Sequence, residues 1–322
     1  MIEKSAAPAT KPWFGFHMPR YTYPGIAPER MFEHVVAQAQ LAEELGFRQV
    51  TVMDHLYQID GVGAIDEPML EAYSVLNALA RETKRVRLGT QVTGVTYRNP
   101  ALLAKMVTTL DLTSGGRAMM GIGAAWNEVE HDAFGYDFPA VKERMDRLDE
   151  ALTIIRAMFA DSRPTVAGNH YRVNEVINMP IPLQPDGPPI LVGGGGEQRT
   201  LRIAAKHADI VHWFPLGLEV LAHKTDLLAR YCAEIGRDFA SIERSIGAPV
   251  IVATTAADQE AQLARIMPER RAHITVAPPQ QAADALKPYL DAGFTGFTFG
   301  NTTYRTPESM HALGETLRLI GG

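Results

Sequence analysis

The 322 residues are 46% hydrophobic and 21% charged, an ordinary globular mixture. That length fits two average domains or one (β/α)8 barrel, which takes ~250 residues or more. A formal charge of −6 without any basic run excludes an electrostatic footprint for nucleic acid, and one cysteine, Cys232, excludes an intrachain disulfide and reads as a buried thiol.

Trp13–His17 (WFGFH) predicts a first strand. The preceding MIEKSAAPATKPW has no apolar leader core, and no run approaches ~18 apolar residues, so the chain reads as soluble and cytoplasmic. Phe32, Val35, Val36, Ala39 and Ala42 share one face of a helix over 28–45, with Gly46 placed to end it. Gln49–Met53 predicts the second strand, with Asp54-His55 at its end. A loop with Gly61, Gly63 and Pro68 leads to a helix over 69–82. Leu88–Val92 predicts strand three, and the loop Tyr97–Pro100 ends where proline favours a helix start. Leu102, Leu103, Met106, Val107 and Leu110 then recur at helical spacing until Ser114-Gly115-Gly116. Ala118–Ile122 is strand four, and Met145, Leu148, Leu152, Ile155 and Phe159 draw a long amphipathic helix.

Pro164, Pro180, Pro182, Pro185, Pro188 and Pro189 forbid a continuous helix over 161–189, which reads as an insertion. Within it, Thr165–Val173 predicts a small hairpin turning at Gly168-Asn169. The alternation resumes with Ile190–Val192, four glycines, a helix from Arg199, and Ile210–Phe214 as strand six. A helix over 217–235 precedes Ile246–Ala253 as strand seven. Residues 257–292 hold helical pieces interrupted near Ala277-Pro278-Pro279. Phe294–Phe299 is strand eight, and a last helix runs from Pro307. Eight strands alternating with helices predict a parallel, closed α/β (β/α)8 TIM barrel, one domain over 1–322 carrying the insertion; a doubly wound open sheet is the competing fold.

Working residues of such a barrel sit at the C-terminal ends of its strands. That rule selects His17, Asp54, His55, Gln91 to Thr93, Gly123 to Glu128, Gly193 to Thr200, and His212 to Phe214. Three histidines converge on one rim. Gly193-Gly194-Gly195-Gly196-Glu197 follows a strand and opens a helix, which suits a phosphate or phosphodiester: glycines let backbone N–H groups close on an anion, and the helix end adds positive charge. The dinucleotide fingerprint G-x-G-x-x-G is not met. In Gly121-Ile122-Gly123-Ala124-Ala125-Trp126, small residues admit a ligand against the backbone, with Trp126 as an apolar wall. Metal chemistry is disfavoured, since no His-x-His ends the first strand and no H-E-x-x-H occurs; Glu128, Glu130, His131 and Asp132 read as a solvated cluster. Lys105, Lys142 and Lys206 fall in helices, which removes a Schiff-base lysine, and no G-x-S-x-G elbow is present.

At these residues the sequence resembles the bacterial luciferase-like superfamily, and most of all its branch of oxidoreductases using the deazaflavin coenzyme F420. The matching stretches are Asp54-His55, LGTQVTGVTYRNPALLAKMVTTLDLTSGGR (88–117), GIGAAWNEVEHDAFG (121–135) and PILVGGGGEQRTLRIAAKHADI (189–210). The resemblance is close over 13–215 and looser beyond. It implies a barrel with the deazaflavin ring at its C-terminal mouth, backed by a bulge with a non-proline cis peptide at Gln91-Val92, with Thr93 beside it. It places Asp54 and His55 near the reactive face as catalytic residues, with Gly123, Ala124 and Trp126 along the ring. It lays the phosphate tail over the loop Gly194–Thr200, with Gly194, Gly195, Gly196, Glu197 and Thr200 holding the phosphate and Gly193 before them as a further cofactor-binding residue. Some sugar-phosphate dehydrogenases of the superfamily carry a glutamate acid after strand four. Alignment puts Trp126 there, with Glu128 shifted by two, which favours an apolar substrate. Ala125 stands where relatives often have glycine. The function implied is hydride transfer between the deazaflavin and a small organic substrate, in a homodimer. An FMN-dependent monooxygenase of the same fold and a non-catalytic flavin-binding protein are the alternatives. Residues 56–68, 127–139 and 255–278 are expected to shape the substrate pocket.

Overall fold

In a computed structural model, residues 11–23, 25–160 and 163–321 are described, so the start of the chain and the first two positions of the insertion lie outside the described residues. Chain order runs β1 (Trp13–Met18), α1 (Met31–Glu44), β2 (Gln49–Val52), α2 (Ala72–Glu82), β3 (Arg87–Thr90), β4 (Thr93–Gly94), α3 (Pro100–Ser114) and β5 (Met120–Gly123). Then come α4 (Glu128–Phe134), α5 (Val141–Ala160), β6 (Val166–Ala167), β7 (Arg172–Val173), β8 (Ile190–Gly193), α6 (Thr200–His207) and β9 (Ile210–Trp213). The last third holds α7 (Leu218–Glu234), β10 (Glu243–Gly247), β11 (Val250–Val252), α8 (Ala256–Arg265), β12 (Thr275–Ala277), α9 (Pro279–Asp291), β13 (Gly296–Gly300) and α10 (Pro307–Leu319).

Nine strands form the main sheet in the order β3-β2-β1-β13-β10-β9-β8-β5-β4. β3 and β4 are two halves of one barrel strand: β3 pairs with β2, and β4 pairs with β5, both in parallel. Leu88 N donates to Arg117 O and Met119 N donates to Leu88 O, which closes the ring. The result is the expected (β/α)8 barrel. Its strands are buried on both faces, as parallel barrel strands are, so Phe14, Phe16, Val50 and Val52 have no exposed surface. Phe14 meets Phe47, Phe297 and Phe299 with ring centroids 5.8, 6.4 and 4.5 Å away. Each such ring contributes ~1.5–3 kcal/mol by burial.

Local signals hold where the chemistry is local. Asn99 caps α3 by accepting from Ala101 N, Pro100 opens the helix, and Gly115 closes it at φ 71°. The hairpin pairs Val166 with Val173 and Ala167 with Arg172, and the Glu150 carboxylate of α5 accepts from the amides of Asn169, His170 and Tyr171. The helix expected over 69–82 starts later, at Ala72, because the Glu71 side chain takes Ser74 N at 2.7 Å as its cap. Cys232 is buried, as expected.

Two strands depart from the expectation. Strand three is not continuous over 88–92, since the chain breaks pairing at Gln91-Val92, which are joined by a non-proline cis peptide. Strand seven begins earlier, at Glu243, and leaves the barrel after Gly247. Pro249 has no N–H to continue the ladder, and β11 pairs in parallel with β12 in a separate two-stranded sheet. The break at Ala277-Pro278-Pro279 is therefore the end of β12 and the start of α9.

Candidate active site

A cavity of about 630 Å³ opens at the C-terminal ends of the barrel strands. Of the residues selected for the site, Asp54, His55, Gln91 to Thr93, Gly123 to Trp126, Gly193 to Gly196, Thr200, His212 and Phe214 line it, whereas Asn127, Glu128, Glu197, Gln198, Arg199 and Trp213 do not. The three rim histidines, His17, His55 and His212, all reach it. Of the loops expected to shape the pocket, 56–68 supplies Ile59, Gly61 and Val62, whereas no residue of 127–139 or 255–278 is in the lining.

Beyond the end of β2, His55 pairs with Glu130 of α4. His55 Nδ1 lies 2.5 Å from Glu130 Oε1, and Leu56 N donates to Glu130 Oε2 at 2.6 Å. The Tyr97 hydroxyl also donates to Glu130 Oε1. A carboxylate only accepts, so the proton sits on His55 Nδ1 and the other ring nitrogen, Nε2, is left as the working atom. The expectation of a solvated cluster holds for Glu128 and Asp132, which are exposed, and fails for Glu130 and His131. α4, which the sequence pattern does not reveal, turns Glu130 and His131 inward, and both are fully buried. Burial works against the Glu130 charge. Hydrogen bonds from His55, Tyr97 and the Leu56 amide outweigh it and hold the carboxyl below its ordinary range. Burial, then the Glu130 carboxylate, pushes the Tyr97 hydroxyl far up, so it stays a donor.

Asp54 is 1% exposed and gripped by Arg98, whose two terminal nitrogens lie 2.6 and 3.1 Å from its two oxygens. Arg98 also bonds Glu71 at 2.7 Å and lies over the Tyr73 ring. Both Asp54 oxygens are thus engaged in a bidentate pair, which suits orienting the β2 end and leaves proton exchange to His55.

The floor is the split third strand. Val92 packs on Met119, Leu191 and Ile210. A Cβ on Gly193 would come within 2.9 Å of Val92 Cγ1, which explains the glycine there. Thr93 bonds Tyr73 and Thr90 at 3.0 Å each. Gln91 Nε2 donates to His212 Nε2 at 3.1 Å, His212 Nδ1 reaches Ser245 Oγ at 3.0 Å, and Ser245 donates to Val211 O. Gln91 Oε1 and Thr298 Oγ1, on lining residues, are buried without a partner. Ala125 holds φ at 60°, a left-handed conformation that costs a non-glycine residue ~1–2 kcal/mol.

Burial lowers the pKa of His212 to about 3 and of His17 to about 4. Both are depressed from 6.5, so below pH 6.5 the unfolded chain binds protons that the folded chain refuses, and stability falls as pH drops toward 4. Each group contributes up to ~1.4 kcal/mol per pH unit within its window. The urea midpoint is expected to fall steeply below pH 6.5, and less steeply in His212→Gln; equal slopes would count against this origin.

At the glycine loop, Lys224 Nζ donates to Gly195 O at 2.7 Å and lies 3.2 Å from Glu197 Oε1. Glu197, expected at the phosphate, faces Lys224 and His223 and is not in the cavity lining; hydrogen bonds from Lys224 and then His223 lower its pKa. With the Gly195 carbonyl held by Lys224, the trans peptide turns the Gly196 N–H to the opposite side. Sequence reasoning misses Lys224 and Glu130 because they lie on α7 and α4. It misses Arg98 and Tyr97 because the expected third strand ends at Val92, whereas its second half, β4, ends at Gly94 just before them. Thr298, Gly300 and Thr302 at the end of β13 are missed as well, although the strand-end rule applied to strand eight would find them. Among the described residues no cluster suits a metal ion.

A closed (β/α)8 barrel with a bulged third strand, a glycine loop above a lysine and a histidine–carboxylate pair defines an enzyme of the class that binds a planar, phosphate-tailed cofactor. Residues 14–298 match the model of the luciferase-like monooxygenase family, and the chain belongs to that family. An F420-dependent glucose-6-phosphate dehydrogenase of Nocardia farcinica is 31% identical over 296 residues, covering 81% of this chain and 85% of that protein. A second of that name, from Intrasporangium calvum, is 38% identical over 174 residues, 53% of this chain and about half (49%) of the relative. Among solved structures, an F420-dependent secondary alcohol dehydrogenase in complex with an F420-acetone adduct matches with a TM-score of 0.81 at 19% identity, over 97% of this chain and 100% of that one.

Proposed function

We propose that this chain is an F420-dependent oxidoreductase that moves a hydride between the deazaflavin and a small organic substrate, with His55 handling the proton. One observation carries the reading: His55, oriented by buried Glu130, shares a single cavity with the split-strand floor and the glycine loop. Relatives named as F420-dependent dehydrogenases, one 31% identical over 81% of the chain, support the coenzyme.

The residues fit that group. Gln91 Oε1 is a buried acceptor without a partner, placed to take a ring N–H, and a Cβ on Gly196 would meet Thr200 Oγ1 at 2.8 Å, closing the cradle. Gly193 to Gly196 and Thr200 would hold the phosphate with Lys224 beneath them, Val92 and Thr93 would support the ring, and Gly123, Ala124 and Trp126 would flank it. When bound, the deazaflavin supplies a two-electron hydride acceptor or donor. His55 Nε2 takes the hydroxyl proton as an alcohol carbon gives up its hydride, and returns it to the carbonyl oxygen in the reverse direction. Asp54 and Arg98 keep the end of β2, and so His55, in place.

Titration of the purified chain with oxidised coenzyme F420, read by fluorescence and run in parallel with FMN, tests the proposal. Preference for the deazaflavin is expected; preference for FMN would replace the reading with a flavin monooxygenase. Lys224→Met is expected to weaken deazaflavin binding by ~10- to 100-fold, the worth of hydrogen bonds to charged groups. Unchanged affinity would remove Lys224 from the phosphate site.

We further propose a cytoplasmic homodimer. Ile177, Met179, Ile181 and Leu183 are exposed, and Asn178, Met179 and Leu183 in that stretch bond Thr108, Lys105 and Asp111 of α3, so an apolar strip runs beside that helix. Light scattering on the purified chain tests the dimer. No helix among the described residues is long and apolar enough to cross a membrane.

A further inference from the structure

Resting on the reading that the glycine loop holds the coenzyme's phosphate, we infer that the remaining cavity takes an uncharged, apolar alcohol or carbonyl compound and rejects sugar phosphates. The charge of the lining carries this. No lysine or arginine is among the described lining residues. His17 and His212 are half-buried and uncharged at neutral pH, Asp54 is neutralised by Arg98, and His55 stands against the carboxylate of Glu130. A phosphate monoester carries ~1.5–2 negative charges and would enter this space without a counter-charge, at a large desolvation cost. The arginines that follow lining residues Pro19 and Thr302 in sequence are hydrogen-bonded outside the lining or to its backbone. Arg20 is forked onto Glu67, and Arg305 Nε donates to Thr302 O.

The shape of the lining points the same way. Met53, Ile59 and Val62 give it an apolar side, and His55 Nε2 has no hydrogen-bond partner among the described residues. Trp126 and Phe214 line the mouth yet remain 62% and 72% exposed, two large apolar surfaces that an apolar ligand would cover. The Trp126 ring stands edge-on to His55, with centroids 5.7 Å apart, so a ligand touching one reaches the other.

Calorimetric titration of the protein saturated with oxidised coenzyme F420 tests the inference, with a bicyclic ketone (decalone) and glucose 6-phosphate as the two probes. The ketone is expected to bind at least ~100-fold more tightly than the sugar phosphate, given the cost of an unpaired buried anion. Trp126→Ala is expected to weaken the ketone ~10-fold by removing an aromatic contact. Sugar-phosphate binding as tight as that of the ketone overturns the inference, and its loss in Arg305→Met would move the phosphate to the rim. Loaded protein that binds neither probe overturns it too. Failure of the coenzyme to bind overturns the parent reading together with this one, whereas loaded protein that takes glucose 6-phosphate overturns this one alone.

Discussion

Glu130→Gln is expected to lower kcat by ~100- to 10,000-fold, the range of a lost general acid–base, while coenzyme affinity stays unchanged. The effect follows from which way the new amide must face. The Leu56 backbone N–H is a fixed donor aimed at Glu130 Oε2, so the glutamine oxygen takes that position. Its NH2 then occupies the place of Oε1, 2.5 Å from His55 Nδ1, and donates to it. Neutral imidazole is forced into the other tautomer, with its proton on Nε2, where it can no longer receive one from an alcohol. Tyr97 can reverse its hydroxyl to accept, so the fold accommodates the change. His55→Asn is expected to lose a similar factor, and the double variant hardly more, because the two residues act as one unit. Additive losses in the double variant, or full activity in Glu130→Gln, would sink the dyad. A rise in KM alone would make Glu130 a contributor to binding instead.

Gly121→Ala is expected to destabilise the barrel by ~3 kcal/mol or more, through overpacking that backbone cannot relieve. A Cβ there would sit 2.1 Å from Thr90 O and 3.1 Å from Thr90 C, where strand three crosses β5. Thr90 Oγ1 also donates to Gly121 O at 2.8 Å, so the two strands cannot drift apart without losing a buried hydrogen bond. Gly115→Ala is the matched control. Its added Cβ meets nothing within 4 Å, and only the positive φ of 71° resists, at ~1 kcal/mol. Urea unfolding of both variants separates steric from conformational cost. Equal losses would mean that the strands move apart more freely than the packing indicates. If Gly121→Ala fails to accumulate, Gly121→Ala with Thr90→Ser provides a second comparison, because removing a methyl beside the clash leaves the backbone contact in place and should not rescue it.

The glycine loop and the Asp54-His55 pair are legible in the amino-acid order alone, because barrel chemistry gathers at strand ends and strand ends can be read in one dimension, whereas Gln91–Thr93 as a floor follows only from the family resemblance. Strand seven misleads for a related reason. Ile246–Ala253 is a continuous apolar run, and periodicity says nothing of whether both of its halves pair with the same neighbours; Pro249 is the one local sign of the exit. Glu130 misleads because a run rich in acidic and polar residues looks solvated, and α4 buries two of its members.

The sequence by itself determined the number and order of the barrel strands and the loops at their ends, since alternation, caps and glycine positions are properties of neighbouring residues. Closure of the ring over an open sheet was settled by the pairing of β1 with β13 and of β4 with β5, and by the Leu88 bonds to Arg117 and Met119. Tertiary structure decided which partner each reactive group has: Glu130 for His55 across 75 residues, Lys224 for the glycine loop across 29, and Arg98 for Asp54 across 44. Periodicity fixes which face a side chain occupies. The charge standing opposite it comes from another element, and only the packed barrel brings the two together.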